Sequence, residues 1–384
     1  MTKKRVIIIR NAYTYDFGGG ERYPVFLAEN LQKNDYETLI ISRSPKLLAF
    51  AKGRSIKTLR GWWWSRQNWS GIRVFLFPVY LIWQIALFFW YLKVFKEYQP
   101  DVIHVQSKDD FISATWAGEL LMKKVIWTDH ADLKHIWKNI SVWYKNPVGK
   151  LVHYSAKFTD AIIAISKSEL SLINHNLDKN DIIKNKIHVI YNGVSDDAKN
   201  YKKSKDKKDF SYCVVSRMVT DKGISEVIEA FSRLQVKYPK DNLILIGDGP
   251  EMKYFKKIAK KIKNIKFMGY QKDPLKYLIE TDVLVHPTYH EGFGLSLVEA
   301  SMLEKPIIAS SVGGIMEIIT HRKNGLLVKP KDVNSLCSAM ESLRNDTKLR
   351  KLLGSNARTQ YEKKFDFDKI VKKQIIPLYK GMDI

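Results

Sequence analysis

The sequence predicts an α/β protein made of two doubly wound halves, and three observations carry that expectation. Short apolar runs alternate with stretches of helical apolar spacing along most of the chain, the pattern of a parallel sheet with helices on its faces. The alternation restarts after 196–209, a stretch so rich in Lys and Asp that it reads as a solvated linker and puts the domain boundary near 195. A length of 384 residues with 45% hydrophobic content suffices for two full cores.

The first elements can be justified in order. Residues 6–9 form an apolar run behind Lys3, Lys4 and Arg5, too short for the apolar segment of a signal peptide, and read as a buried first strand. The loop beyond it reaches Gly18, Gly19 and Gly20, and a helical pattern follows through Val25, Leu27, Ala28 and Leu31. Strand, glycine loop and helix open a Rossmann-like unit. The spacing is not G-x-G-x-x-G, so a dinucleotide fingerprint is absent, and a glycine triplet by itself is more often just a flexible turn. Residues 37–41 make the next strand.

Residues 38–96 contain ten Lys or Arg, no Asp or Glu, and six of the ten tryptophans, among them Trp62, Trp63, Trp64 and Trp69. Within them, 74–92 is interrupted only by Pro78 and Gln84 and approaches the length of a spanning helix. Pro78 limits the helix to about 79–98. Three readings compete: a buried core helix, an interfacial membrane patch, and a true span. A single span would put the motif-bearing regions on either side in different compartments. The reading adopted is a core helix with one face, together with a loop at 52–73 and its tryptophans, docking on anionic lipid.

Further strands fall at 102–105 and 123–127. The exit of the latter, Thr128, Asp129, His130, Ala131, Asp132, puts titratable groups where a sheet's carboxyl edge meets a crevice. A lone His at a strand end is commonly structural, and Asp129 with Asp132 could instead be metal ligands. Strands at 160–165 and 187–190 close the first half. The second half brings a strand at 210–215, a helix at 224–238, a strand at 243–246 and a turn at 247–250. Arg217 and Lys222 stand five apart on the loop leaving its first strand, where surface cations are ordinarily only solvated. Strands ending near 270 and at 306–309 follow. A final basic helix is expected at 365–379, with Asp366-Phe367-Asp368 as its N-cap region. Cys213 and Cys337 suggest no disulfide framework and read as reduced residues of a cytoplasmic protein.

The stretch from His286 to Ala300, HPTYHEGFGLSLVEA, organises the rest. A strand ends at His286, Gly292 and Gly294 let backbone approach a ligand, and a helical segment starts at 295. The amides of Phe293, Gly294 and Leu295 have no partners inside a first helical turn and make an anion site. Glu291 precedes them and Glu299 lies more than a turn beyond. Two carboxylates beside an anion site suit sugar hydroxyls on the same ligand, because an ionised carboxylate only accepts hydrogen bonds. The plainer alternative is a surface helix with glutamates near its N-terminus.

EGFGLSLVE is similar to the E-x7-E signature of the retaining glycosyltransferases of family four. The resemblance implies the GT-B fold, two Rossmann-like doubly wound domains facing across a cleft. The first, 1–195, would be acceptor-side and the second, 196–364, would bind a nucleotide sugar, with 365–384 returning to the first. It further implies Glu291 at the donor sugar and Glu299 on the ribose. Ser216-Arg217-Met218-Val219-Thr220-Asp221-Lys222-Gly223 resembles the family's R-x4-K-G, so Arg217 and Lys222 would grip the diphosphate with the 293–295 amides. Phe267-Met268-Gly269-Tyr270 resembles the loop against the nucleotide base, which brings in Tyr270. Gly19, Gly20 and Glu21 resemble the GGxE loop that faces the cleft. The T-x-H at Thr128 and His130 implies that His130 stands near the reacting sugar, and Ile190 to Val194 resembles I-x-N-G-V at the end of the first domain. Where the family commonly has Pro before the residue corresponding to Glu317, this chain has Met316.

The implied reaction is metal-independent hexosyl transfer with retention of configuration. The donor would be a nucleotide diphosphate sugar, a UDP-sugar favoured over a GDP-sugar, and no cofactor is called for. The acceptor would be a glycan or lipid-linked molecule of cell-surface polysaccharide or glycolipid synthesis, met in the cytoplasm or on the inner face of the cell membrane. A nucleotide-sugar 2-epimerase and a sugar-phosphate synthase are the enzyme alternatives. The third is a basic binding protein without catalysis, since a formal charge of +24 suits any polyanion. No RNA- or DNA-binding motif occurs, which disfavours nucleic acid.

Overall fold

Runs such as Val6 to Ile9 carry no polar face to leave in water, and the structure buries their side chains completely. The structure is a computed structural model that describes residues 3–11, 19–61, 77–129, 147–204 and 209–382. It divides into two compact units, Met1–Tyr191 with Asp368–Ile384, and Asn192–Phe367. Trp62, Trp63, Trp64, Trp69 and His130 lie outside the described residues.

The first unit alternates β1 (Lys4–Ile9), α1 (Gly19–Lys33), β2 (Tyr36–Ser42), α2 (Pro45–Lys52), β3 (Lys57–Arg60), α3 (Phe77–Tyr98), β4 (Val102–Val105), α4 (Phe111–Leu120), β5 (Lys124–Asp129), α5 (Pro147–Ala156), β6 (Ala161–Ala164), α6 (Lys167–Asn176) and β7 (Ile187–Val189). Its seven strands are parallel in the order β3-β2-β1-β4-β5-β6-β7. The order reverses between β1 and β4, so the loops leaving those two strands diverge and open a crevice at their carboxyl ends. The core is aromatic where α4 meets the sheet. Phe111 stacks on Trp127 at 4.1 Å, and the Trp127 indole donates to Thr115 Oγ1 at 2.8 Å.

Two expectations need correction in this unit. The stretch 52–73 is not loop throughout, because 57–60 is β3, paired in parallel with β2. It is an edge strand with both ends exposed, so it needs no apolar run. Gly19 and Gly20 are not loop residues either: they are the first turn of α1, with Glu21 favouring its positive end. Helix α3 starts at Phe77, two residues earlier than expected, because Pro78 falls in a first turn where its missing N–H costs nothing. It is long and apolar enough to cross a membrane. One face nevertheless lies in the core, through Tyr80, Gln84, Leu87, Tyr91, Val94 and Phe95, so the reading of α3 as a true span is set aside.

The second unit runs β8 (Ser211–Val215), α7 (Ile224–Lys237), β9 (Asn242–Ile246), α8 (Met252–Ala259), β10 (Ile265–Gly269), β11 (Val283–His286), α9 (Leu295–Met302), β12 (Ile307–Ser310), β13 (Leu326–Val328), α10 (Val333–Asn345) and α11 (Thr347–Lys364). Six parallel strands take the order β10-β9-β8-β11-β12-β13, with the reversal between β8 and β11. Cys213 is buried on β8, which pushes its thiol up to about 12.

The chain's last segment belongs to the first unit. The helix expected at 365–379 is present over 367–380, with a π turn inside it: Phe367–Ile370 passes through Val371–Ile375 into Ile376–Lys380. Pro377 has no N–H for an i→i−4 bond, and the π turn ends just ahead of it. Tyr379 Oη lies 2.6 Å from His104 Nδ1 on β4, and His104 Nε2 lies 2.7 Å from Thr128 Oγ1 on β5. Burial pushes the imidazole down to about 3, so the ring is neutral, with one nitrogen donating and the other accepting.

Candidate active site

In the second unit, β8 and β11 are neighbours at the reversal of strand order, so the loops 216–223 and 287–294 leave the sheet together. Their backbones are stitched to each other. Tyr289 N donates to Asp221 O at 2.8 Å, and Thr288 Oγ1 donates to the same carbonyl at 3.1 Å. A Cβ on Gly223, whose φ is 67°, would stand 2.1 Å from Pro287 O, so only glycine permits this approach. The Tyr289 hydroxyl donates to Glu226 on α7, and Lys331 Nζ lies 4.7 Å from its ring centroid.

Glu291 is the centre of the arrangement. Its Oε2 accepts from Lys222 Nζ at 2.9 Å and faces His286 Nε2 at 3.3 Å. His286 Nδ1 in turn lies 3.4 Å from Ser296 Oγ, in the first turn of α9. Burial pushes the Glu291 carboxyl upward, but the His286 hydrogen bond and the Lys222 charge outweigh it and hold the group down to about 2. Both contacts fall on one oxygen, and Oε1 takes no hydrogen bond among the described residues. The backbone is fixed as well: Gly314 N donates to Glu291 O at 3.2 Å, and a Cβ on Gly313 would meet that carbonyl at 2.2 Å.

The other residues expected here fall around this knot. Arg217 is exposed on the loop after β8, and its guanidinium has no protein partner among the described residues. Gly294 begins α9 with φ 105° and offers no side-chain cap, so the first-turn amides meet no capping oxygen from it. Phe293 is buried with its ring 5.7 Å from Phe365. Glu299 is buried one turn into α9. Tyr270 is exposed just after β10, two strands from β8. The roles of His286, Ser296 and Gly313 were missed from sequence. For His286 the available signal was a strand-end His five residues before a Glu on the same loop.

The first unit has a polar cluster at its own reversal of strand order, which sequence reading also missed. Arg10 donates to Gln106 O at 2.6 Å and to Glu21 Oε1 at 3.1 Å. Asn11 N donates to Ser107 Oγ at 3.0 Å, Ser107 donates to Asp110, and Tyr91 Oη of α3 donates to the other oxygen of Asp110 at 2.8 Å. The residues just beyond β1 and β4 thus bond to α1 in one set of contacts and to α3 in the other.

Two adjoining family models match this sequence, Glycosyltransferase Family 4 over residues 17–198 and Glycosyl transferases group 1 over residues 195–360. The chain belongs to glycosyltransferase family 4. Among similar proteins, the uncharacterised glycosyltransferase MJ1178 of Methanocaldococcus jannaschii is 33% identical over 226 residues, 57% of this chain and 59% of its own length. The capsular polysaccharide biosynthesis glycosyltransferase CapM of Staphylococcus aureus is 30% identical over 57% of this chain and 60% of its own. These matches therefore span about three fifths of each relative. The crystal structure of Anabaena HepE in complex with UDP and glucose superposes with a TM-score of 0.77 at 19% identity, covering 98% of this chain and 99% of that one. The fold is GT-B, two parallel-sheet Rossmann-like domains.

Proposed function

We propose that this family 4 protein transfers a hexosyl group from a nucleotide diphosphate sugar to a glycan or lipid-linked acceptor, with retention of configuration and without a metal ion. The observation that carries the reading is the Lys222–Glu291–His286 knot at the second unit's strand reversal, beside the exposed Arg217 and the uncapped start of α9. Fixed positive charge and first-turn amides suit a leaving diphosphate, and an anchored carboxylate with one oxygen open suits sugar hydroxyls.

In this scheme the second unit holds the donor. Arg217, Lys222 and the amides of Phe293, Gly294 and Leu295 take the diphosphate, Glu299 the ribose diol, and Tyr270 lies along the base. The bond between the anomeric carbon and the phosphate oxygen breaks, its electron pair leaving with the nucleoside diphosphate. The acceptor oxygen bonds to the same face of that carbon and its proton passes to the departing phosphate oxygen. A carboxyl held down to about 2 is a weak base, so Glu291 orients the sugar and stabilises positive charge rather than taking the proton. The first unit holds the acceptor, with His130 and the start of α1 at Gly19 and Gly20 near the reaction centre. A UDP-sugar is the first donor to test, as HepE was crystallised with UDP and glucose. CapM directs the search for acceptors to surface polysaccharide precursors, on the cytoplasmic side of the membrane.

A thermal-shift screen against UDP- and GDP-sugars with chelator present, run on the wild type, Arg217→Ala and Glu299→Ala, tests the donor assignment. Saturation near 100 times Kd adds about 2.7 kcal/mol of stability. A shift with one nucleotide class that Arg217→Ala loses and Glu299→Ala reduces by about half supports it; no shift with any nucleotide sugar overturns it.

A further inference from the structure

We infer that the outer face of α3 is a lipid-docking surface that lies along an anionic membrane and serves the first unit's acceptor end; the acceptor part of this inference rests on the reading above. The helix has two faces with different tasks. Tyr80, Gln84, Leu87, Tyr91, Val94 and Phe95 point into the core, and Gln84 is tied to α4 by the Ser113 hydroxyl. On the opposite side, Ile82, Ile85 and Phe89 recur at helical spacing with 69%, 56% and 62% of their surface exposed, and Val79 flanks them at 62%. The stripe continues through Lys93 and Lys96, both exposed, with Glu97 3.9 Å from Lys93 at its end. Water is a poor neighbour for four large apolar side chains in a row.

Charge selects the occupant. The segment 38–96 carries ten basic residues and no acidic one; Arg54, Lys57 and Lys93 are paired with Glu29, Glu37 and Glu97, and the balance still favours a partner that offers both hydrocarbon and negative charge. An anionic bilayer surface offers both. The core contacts of the inner face keep α3 from crossing, which leaves it lying in the interface. Its inner face also leads to the proposed acceptor end: Tyr91 donates to Asp110, which accepts from Ser107, which accepts from Asn11 at the exit of β1. The helix on the lipid is therefore bonded, through two side chains, to the loop leading toward α1. That suits an acceptor whose lipid stays in the membrane while its sugar enters the protein.

The second unit supplies a built-in control. Lys253, Lys256, Lys257, Lys260, Lys261, Lys263 and Lys266 are exposed along α8 and β10, with no carboxylate partner among the described residues and no apolar row beside them. Flotation of the full chain is measured on phosphatidylcholine vesicles with about one third phosphatidylglycerol and on phosphatidylcholine alone. Wild type, Ile82→Ser/Phe89→Ser and Lys256→Glu/Lys257→Glu/Lys260→Glu are compared, each variant also checked for the nucleotide-induced thermal shift of the wild type. The inference expects wild type on the anionic vesicles only, the serine variant weakened by tenfold or more, on the order set by losing two apolar side chains, and the glutamate variant within about threefold of wild type. It is overturned if wild type ignores the anionic vesicles, if the serine variant floats like wild type, or if only the glutamate variant fails to float. A change of oligomeric state in the serine variant with no vesicle binding by wild type also overturns it, in favour of a second copy of the chain. Because the thermal shift reads the donor site alone, failure of the docking inference and failure of the donor assignment are separate results.

Discussion

The two units have strand orders that reverse in the same way, yet what stands at the two reversals is different. At the second, between β8 and β11, backbone loops are locked onto each other and a cation is left exposed, with Glu291 held by Lys222 and His286. At the first, between β1 and β4, Arg10 is already paired with Glu21, and Asp110 is buried under Tyr91 and Ser107. One reversal leaves a cation open; the other spends its charges on neighbouring elements. A common topology thus provides the position of a site, while its chemistry comes from which charges the surrounding elements leave open.

The largest expected difference between them is functional. Lys222→Ala or Arg217→Ala should lower transfer by about 10²–10³-fold and remove the nucleotide-induced thermal shift, as expected when fixed charge on a leaving group is lost. Asp110→Asn should keep that shift. Loss of nucleotide binding in Asp110→Asn would break the distinction. Next comes stability: Asp110→Ala removes two hydrogen bonds to a buried carboxylate and should cost about 3 kcal/mol. All ten tryptophans lie at or before residue 143, so urea unfolding followed by tryptophan fluorescence reads the first unit alone. The Asp110→Ala cost should appear there and that of Lys222→Ala should not.

A smaller effect is expected at Glu299, where Ala should weaken nucleotide binding by about tenfold, the worth of one good hydrogen bond to a charged group. The finest test is acid. His104 and Glu291 are both held below their ordinary values, so in each case the folded state binds fewer protons than the unfolded chain and stability falls as the pH falls. For His104 the loss runs from about 6.5 down toward about 3, and for Glu291 from about 4.5 down toward about 2. Tryptophan fluorescence should therefore report weakening of the first unit at a higher pH than amide exchange reports weakening of the second. Coincident curves would remove that contrast.

The second unit was more legible in the sequence than the first, and the reasons are local. Its strands are apolar runs closed by glycine turns, and its charged site residues sit a few positions from those glycines, where backbone shape and chemistry share one stretch. Strand β3 was hidden because Lys57-Thr58-Leu59-Arg60 sits at an edge and buries little. The Tyr91, Ser107 and Asp110 network was hidden because its members come from α3 and from the loop after β4, and nothing in their spacing announces that the sheet brings them together. His286 was visible as a residue, but its bond to Glu291 depends on how the 287–291 loop folds back.

The bond between Tyr379 and His104 also has a consequence in time. The partners are 275 residues apart in sequence, and the segment that carries Tyr379 buries Ile375, Ile376 and Leu378 with it. At about 5–20 residues per second, a ribosome delivers Tyr379 on the order of tens of seconds after β4 has been made. The second unit, Asn192–Phe367, is one continuous stretch and is complete before that residue emerges. The half that is translated first is therefore the half that finishes folding last, and until it does, β4 carries a histidine that has only one of its two partners.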